Sequence, residues 1–223
     1  MTDGASGCGG TAWAFLDLDG TLTDAAPGIT RSIDAALSQL GLPSPGVDAL
    51  RGRVGPPLHE TFSELGVPDA EVDEAIAFYR ARYTTVGLFE NGVFPGVPEM
   101  MAALKARGWR LALATSKPIV YAAKITMHFG LDAALDAQFG SELDGTRADK
   151  PSLLAHALSK TGADPGRSLM LGDRRHDAAG AHANGLRALG ASWGYGSEDE
   201  LKDAGAMPIA APADVADQAG EAG

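Results

Sequence analysis

Four short runs of this chain combine residue types and spacings that can do chemistry, and the first says the most. In Phe15-Leu16-Asp17-Leu18-Asp19-Gly20-Thr21-Leu22-Thr23, an apolar stretch from Ala12 to Leu16 delivers two carboxylates into a Gly-Thr turn. Side chains along a strand alternate with period two, so Asp17 and Asp19 point the same way if the strand persists. Open α/β sheets bind ligands in the crevice outside the carboxyl ends of their strands. Two carboxylates about 5 Å apart repel by roughly 3 kcal/mol at an effective dielectric near 20, so they need a cation or a shared proton. That pattern suits metal-assisted chemistry with a carboxylate nucleophile. The plainer alternative is a strand-end turn in which both acids cap backbone amides.

The second run is Leu111-Ala112-Leu113-Ala114-Thr115-Ser116-Lys117-Pro118. A strand ends on hydroxyls, and Pro118 suits the first position of a following helix. A hydroxyl with free amides at a helix amino terminus makes a site for phosphate oxygens, so Thr115 and Ser116 are candidates, with a simple N-cap as the alternative. Lys117 reads as a solvated surface lysine. The third run is Asp149-Lys150-Pro151, where Lys150 could balance both a nucleophilic carboxylate and a transferring phosphoryl group. The fourth is Leu169-Met170-Leu171-Gly172-Asp173-Arg174-Arg175-His176-Asp177. Asp173 leaves a buried strand into a glycine turn and fits a direct metal ligand. Asp177 falls one turn into the next helix, placed to orient Lys150 or a metal-bound water. Oxygen donors without a Cys/His cluster favour magnesium over zinc. His176 and His182 lack metal-ligand spacing and read as surface or helix-packing residues.

These residues need a sheet to converge them. From Phe94 onward, helix and strand patterns alternate. The expected helices are Pro98 to Arg107, Pro118 to Phe129, Pro151 to Lys160 and Asp177 to Asn184. Strands are expected at Trp109 to Ala114, Gln138-Phe139, Ser168 to Leu171, Leu186 to Leu189 and Met207 to Ala210. Such alternation implies a parallel sheet covered on both faces: a doubly wound, Rossmann-like α/β core. Between Ala26 and Tyr83 the apolar residues recur only at helical spacing, as in Ile29, Ile33, Leu37 and Leu40. An all-helical insertion of about 70 residues is sized for a small cap domain. The expected organisation is a disordered tail over 1–11, a core of 12–24 plus 92–223, and a cap of 25–91.

Composition limits the partners. The 223 residues carry a formal charge of −11, which argues against nucleic-acid polymers and anionic membrane surfaces. An anionic substrate must therefore be held by local cations and helix amino termini. No apolar run approaches the roughly 18 residues of a membrane helix, and Met1 to Gly10 lacks the basic and apolar regions of a signal peptide. The single cysteine, Cys8, cannot form an internal disulfide. A cytoplasmic protein, monomer or homodimer, is the expectation.

Taken in order, the DxDGT run, the hydroxyl after the second strand, the lysine and GDxxxD resemble the haloacid dehalogenase superfamily of phosphohydrolases, from about Trp13 to Val215. The helical insertion is similar to the cap of its phosphoglycolate-phosphatase-like branch. Gly55-Pro56-Pro57-Leu58, Gly140 to Arg147 and Gly194-Tyr195-Gly196 resemble a 5′-nucleotidase-like bacterial subgroup. The resemblance implies Asp17 as a nucleophile that takes the phosphoryl group, and Asp19 as the acid and base. Asp17, the Asp19 backbone carbonyl and Asp173 would hold Mg2+, with Asp177 behind them. Thr115 and Lys150 would bind the phosphoryl group. The cap would choose the leaving group of a small phosphorylated metabolite, with Arg51, Arg53 and His59 as candidates; the arginines suit a solvated helix face equally well. A sugar phosphomutase shares every core motif, and a non-catalytic sensor on the same fold is the rival from another class.

Overall fold

In the computed structural model, residues 11–55 and 57–222 are described; Cys8, the rest of the expected tail as far as Gly10, and Pro56 lie outside them. Six strands form one parallel sheet: β1 (Trp13–Leu16), β2 (Arg110–Pro118), β3 (Ala137–Ser141), β4 (Leu169–Gly172), β5 (Arg187–Ala191) and β6 (Met207–Ile209). Their order is β3-β2-β1-β4-β5-β6, with Phe15 of β1 level with Ala112 on one side and Met170 on the other. After β3 the chain crosses to the far side of β1, so the order reverses there and opens a crevice at the carboxyl ends of β1 and β4.

Period-two alternation sends successive residues of each strand to opposite faces. Ala14, Leu16, Leu111, Leu113, Leu169 and Leu171 share one apolar cluster with α4 (Val97–Ala106), α5 (Ile119–His128) and α9 (Pro212–Ala219). Phe15, Ala112, Ala114 and Met170 share another with α6 (Lys150–Thr161), α7 (Arg175–Ala183) and α8 (Glu198–Asp203). Phe15 has no solvent exposure, so truncation to Ala should cost about 3–5 kcal/mol. The doubly wound fold expected from the alternation is therefore present. Helices α8 and α9 were not foreseen.

Residues 25–91 make a helical excursion: α1 (Ala26–Gln39), a 3₁₀ turn (Ala49–Arg53), α2 (Leu58–Glu64), α3 (Val72–Arg82) and a π-helical turn (Tyr83–Gly87). The chain leaves and returns through one short hinge. Asp24 N donates to Gly92 O at 2.7 Å and Phe94 N donates to Leu22 O at 3.1 Å. Ile33, Phe62 and Tyr79 of the excursion belong to the same apolar cluster as Leu16 and Leu22.

Two local expectations are corrected. β1 ends at Leu16, so strand alternation does not aim Asp17 and Asp19; the amides of Thr21, Leu22 and Thr23 all donate to Leu18 O, curling residues 18–23 into a turn. Pro118 is not the first helical residue. It is extended (φ −53°, ψ 129°) and still pairs with Ser141 of β3, and α5 starts at Ile119.

Candidate active site

The ends of β1, β2 and β4 bring the acids and the lysine together. Asp17 N makes the last ladder bond, to Leu171 O at 2.9 Å, which sets Asp17 beside the end of β4. Lys150 opens α6, where the Asp149 side chain caps Ser152 N at 2.9 Å and Pro151 occupies the first turn. Its Nζ donates to Asp17 Oδ1 at 2.8 Å and to Ala114 O at 2.9 Å, and lies 2.6 Å from Asp177 Oδ1. Burial alone would push this amine down, but Asp17 and Asp177 outweigh it and hold Lys150 above its ordinary value, as a cation. Removing either carboxylate would leave a buried charge short of a partner.

Asp173 has no solvent exposure. Tyr195 N donates to its Oδ2 at 2.8 Å, and Thr21 Oγ1 to its Oδ1 at 3.4 Å. Burial first, then repulsion from Asp17 and Asp177, pushes its carboxyl up to about 8. Asp177 accepts from Arg174 N at 3.1 Å and is also raised, by burial above all. One oxygen from each of Asp17, Asp173 and Asp177 lies within 4.8 Å of the others. Three crowded acids against one lysine leave negative charge unmatched, and an all-oxygen donor set suits a hard divalent cation. Asp177 lies in this cluster and contacts Lys150, the residue that its place one turn into the helix was expected to orient.

Glycines make this crowding feasible. A Cβ on Gly20 (φ +86°) would lie 2.2 Å from Asp173 Oδ2, and one on Gly194 would lie 2.3 Å from both Asp173 Cβ and Gly20 O. Trp193 Nε1 fastens the two loops by donating to Thr21 O at 3.0 Å.

Asp19 sits in the turn with its Oδ2 accepting from Lys117 Nζ, while Oδ1 is buried with no hydrogen-bond partner among the described residues. Burial raises its pKa, and Lys117 opposes the rise. The expectation of a solvated Lys117 is corrected: its side chain is 9% exposed and lies 5.2 Å from the Tyr83 ring centroid. Tyr83 in turn stacks on Tyr79. The extra length of β2, which carries Lys117 up to the acids, was the missing information.

Thr115 is buried and its Oγ1 accepts from Lys117 N at 3.3 Å. Ser116 is exposed, with its carbonyl accepting from Ser141 Oγ at 2.8 Å, so the structure brings Thr115 and not Ser116 into the buried cluster. Of the cap candidates, Arg53 and His59 engage acids remote from the cluster, and Arg51 pairs with an acid next to the hinge. Arg53 pairs with Glu64 of α2, His59 lies 3.5 Å from Asp73 on an exposed face, and Arg51 pairs with Asp24 at 3.2 Å. His176 and His182 are exposed, as expected. The contacts of Asp24, Tyr195 and Arg174 escaped the sequence reading, since their partners are remote in the chain.

Comparison with known proteins covers the stretch of chain that holds the four runs. A family model described as haloacid dehalogenase-like hydrolase matches residues 12–185. A 5′-nucleotidase of Pseudomonas aeruginosa is 48% identical over 189 residues, covering 84% of this chain and 86% of that protein. Tyrosine-protein kinase PtkA of Mycobacterium tuberculosis is 43% identical over 185 residues, which cover 83% of this chain and 63% of PtkA. Among solved structures, a predicted phosphatase from Clostridium acetobutylicum superposes with a TM-score of 0.86 at 35% identity, covering 93% of this chain and 97% of that one. The chain belongs to the haloacid dehalogenase-like hydrolase family.

Proposed function

We propose that this protein hydrolyses small phosphomonoesters, with nucleoside 5′-monophosphates the favoured class and 2-phosphoglycolate the second. The observation that carries the reading is the buried Lys150, which holds Asp17 at 2.8 Å beside the Asp173 carboxylate. A lysine holding one oxygen of a carboxylate leaves the other to attack phosphorus, and its charge balances the phosphoryl group that arrives. The leaving oxygen takes the proton of Asp19 as its bond to phosphorus breaks, giving an aspartyl-phosphate on Asp17. Asp19, now a carboxylate, takes a proton from water as the water oxygen attacks the same phosphorus. The Asp17–phosphorus bond then breaks, releasing inorganic phosphate and restoring both acids. Thr115 and Lys150 would bind the phosphoryl oxygens in both steps. Asp17 and Asp173, with Asp177 close by, would hold Mg2+, which supplies positive charge against the phosphoryl oxygens. Residues 25–91 serve as a cap over the leaving group.

The test is a panel of phosphorylated metabolites with Mg2+, run on the wild type and Asp17→Asn. Release of inorganic phosphate from a nucleotide or phosphoglycolate by the wild type alone, with an unchanged fold in the variant, is expected. Isomerisation of hexose phosphates without phosphate release would make the protein a mutase. The PtkA relative adds one acceptor to the panel: transfer to tyrosine in place of water would also overturn the hydrolase reading. Full turnover in Asp17→Asn would remove Asp17 as nucleophile.

A further inference from the structure

Two hydrogen bonds tie the cap turn Ala49–Arg53 and the two residues after it to residues beside Asp173. Arg174 follows Asp173 directly and sends Nη1 to Val54 O at 3.0 Å. A Cβ on Gly55 (φ +118°) would lie 2.4 Å from that same Nη1, so only glycine admits the guanidinium here. Glu200 fixes the guanidinium from behind, accepting from Arg174 Nε at 3.0 Å and from Arg175 N at 2.9 Å. On the other side, Arg51 of the cap turn donates to Asp24 Oδ2 at 3.2 Å, and the Tyr195 hydroxyl donates to Asp24 Oδ1 at 2.9 Å. Tyr195 is the residue whose backbone amide holds Asp173.

We propose that Arg174 and Tyr195 are positioning residues that clasp the cap turn over the site from two sides of Asp173, and thereby set how the cap meets the substrate's leaving group. The proposal rests on the phosphatase reading above. Neither clasp bond reaches the phosphoryl cluster of Asp17 and Lys150. The clasp therefore acts on the part of the substrate that extends toward the cap. A substrate with almost no leaving group should not sense it.

Arg174→Met keeps the aliphatic stem and deletes every side-chain donor; Tyr195→Phe deletes only the hydroxyl, and Gly55→Ala keeps both partners but pushes the guanidinium away and strains the turn at φ +118°. Loss of one charged hydrogen bond is worth about tenfold. KM for a nucleoside 5′-monophosphate should rise about tenfold in Arg174→Met, with kcat changed less than about twofold, and Gly55→Ala should show the same split. Turnover of acetyl phosphate should change less than about twofold. Hydrogen exchange at Leu50, Arg51 and Val54, whose amides bond to Gly46, Asp48 and Arg51 carbonyls, should quicken about tenfold in Arg174→Met and also quicken in Tyr195→Phe. Unchanged exchange over residues 49–55 would overturn the clasp, as would an equal kcat loss for both substrates with KM untouched. The exchange measurement needs no substrate, so it decides the clasp even if the wild type releases no phosphate and the functional reading falls.

Discussion

At the scale of single residues, the contact between Asp19 and Lys117 decides how the proposed acid is used. Asp19 is half-buried, its Oδ1 is buried with no hydrogen-bond partner among the described residues, and its Oδ2 is held by an ammonium that also lies over Tyr83. Such a carboxyl is aimed and cannot rotate freely. If Asp19 donates the proton, its loss must hurt poor leaving groups most. Asp19→Asn should slow the first step with an alkyl phosphate by about 10²–10⁴-fold, and an aryl phosphate far less, since the aryl oxygen leaves without a full proton. Single-turnover measurement with both substrates checks this; equal losses would assign Asp19 another role. The same scale explains why Ser116 is less suited than its neighbour: the backbone of β2 turns Thr115 inward and leaves Ser116 exposed.

At the scale of elements, strand ends and α7 supply the acid cluster, and two loops close on it. The turn of residues 18–23 and the loop of residues 193–196 close on Asp173, and their approach needs the missing side chain of Gly194. Gly194→Ala should push the loop off Asp173, weaken Mg2+ binding at least tenfold by calorimetry, and destabilise the fold by about 1–3 kcal/mol. Gly41 is the control: it ends α1 at φ +70° with nothing within 4 Å of an added Cβ. Gly41→Ala should cost about 1 kcal/mol from its left-handed backbone and leave Mg2+ affinity unchanged. Should both variants bind Mg2+ like the wild type, the loop would not be what holds the ligand geometry.

At the scale of the whole molecule, the buried acids make stability depend on pH and on metal. Asp173 is raised to about 8, and Asp19 and Asp177 are raised as well. A carboxyl with a folded pKa above its unfolded one binds more protons when folded, so stability falls as pH rises between the two values. Lys150 is shifted upward, and its contribution is lost only as pH climbs past the ordinary lysine range. The metal-free protein should therefore melt lower at pH 8 than at pH 5.5. Saturating Mg2+ should raise Tm and flatten that slope, because the cation replaces the protons on the cluster. Melting curves with chelator and with Mg2+ check both signs; a Tm indifferent to Mg2+ would speak against a cation at Asp17 and Asp173.

The residues proposed to do chemistry were legible in the sequence because each motif couples a strand pattern to the polar group at its end. Asp17 and Asp173 leave apolar strands, and Lys150 precedes a capped helix, so local rules placed all three at one edge of a parallel sheet. The doubly wound core followed from the same periodicity. What local rules cannot give is distance between remote segments. Only the tertiary structure brought Lys117 onto Asp19, because β2 runs to Pro118, four residues past the Ala114 expected as its end. Only it paired Tyr195 with Asp24 and Arg174 with Val54, contacts spanning more than a hundred residues of chain. It also sent Arg53 and His59 to acids of the helical excursion, since a side chain's nearest opposite charge depends on how helices pack and not on the spacing within one of them.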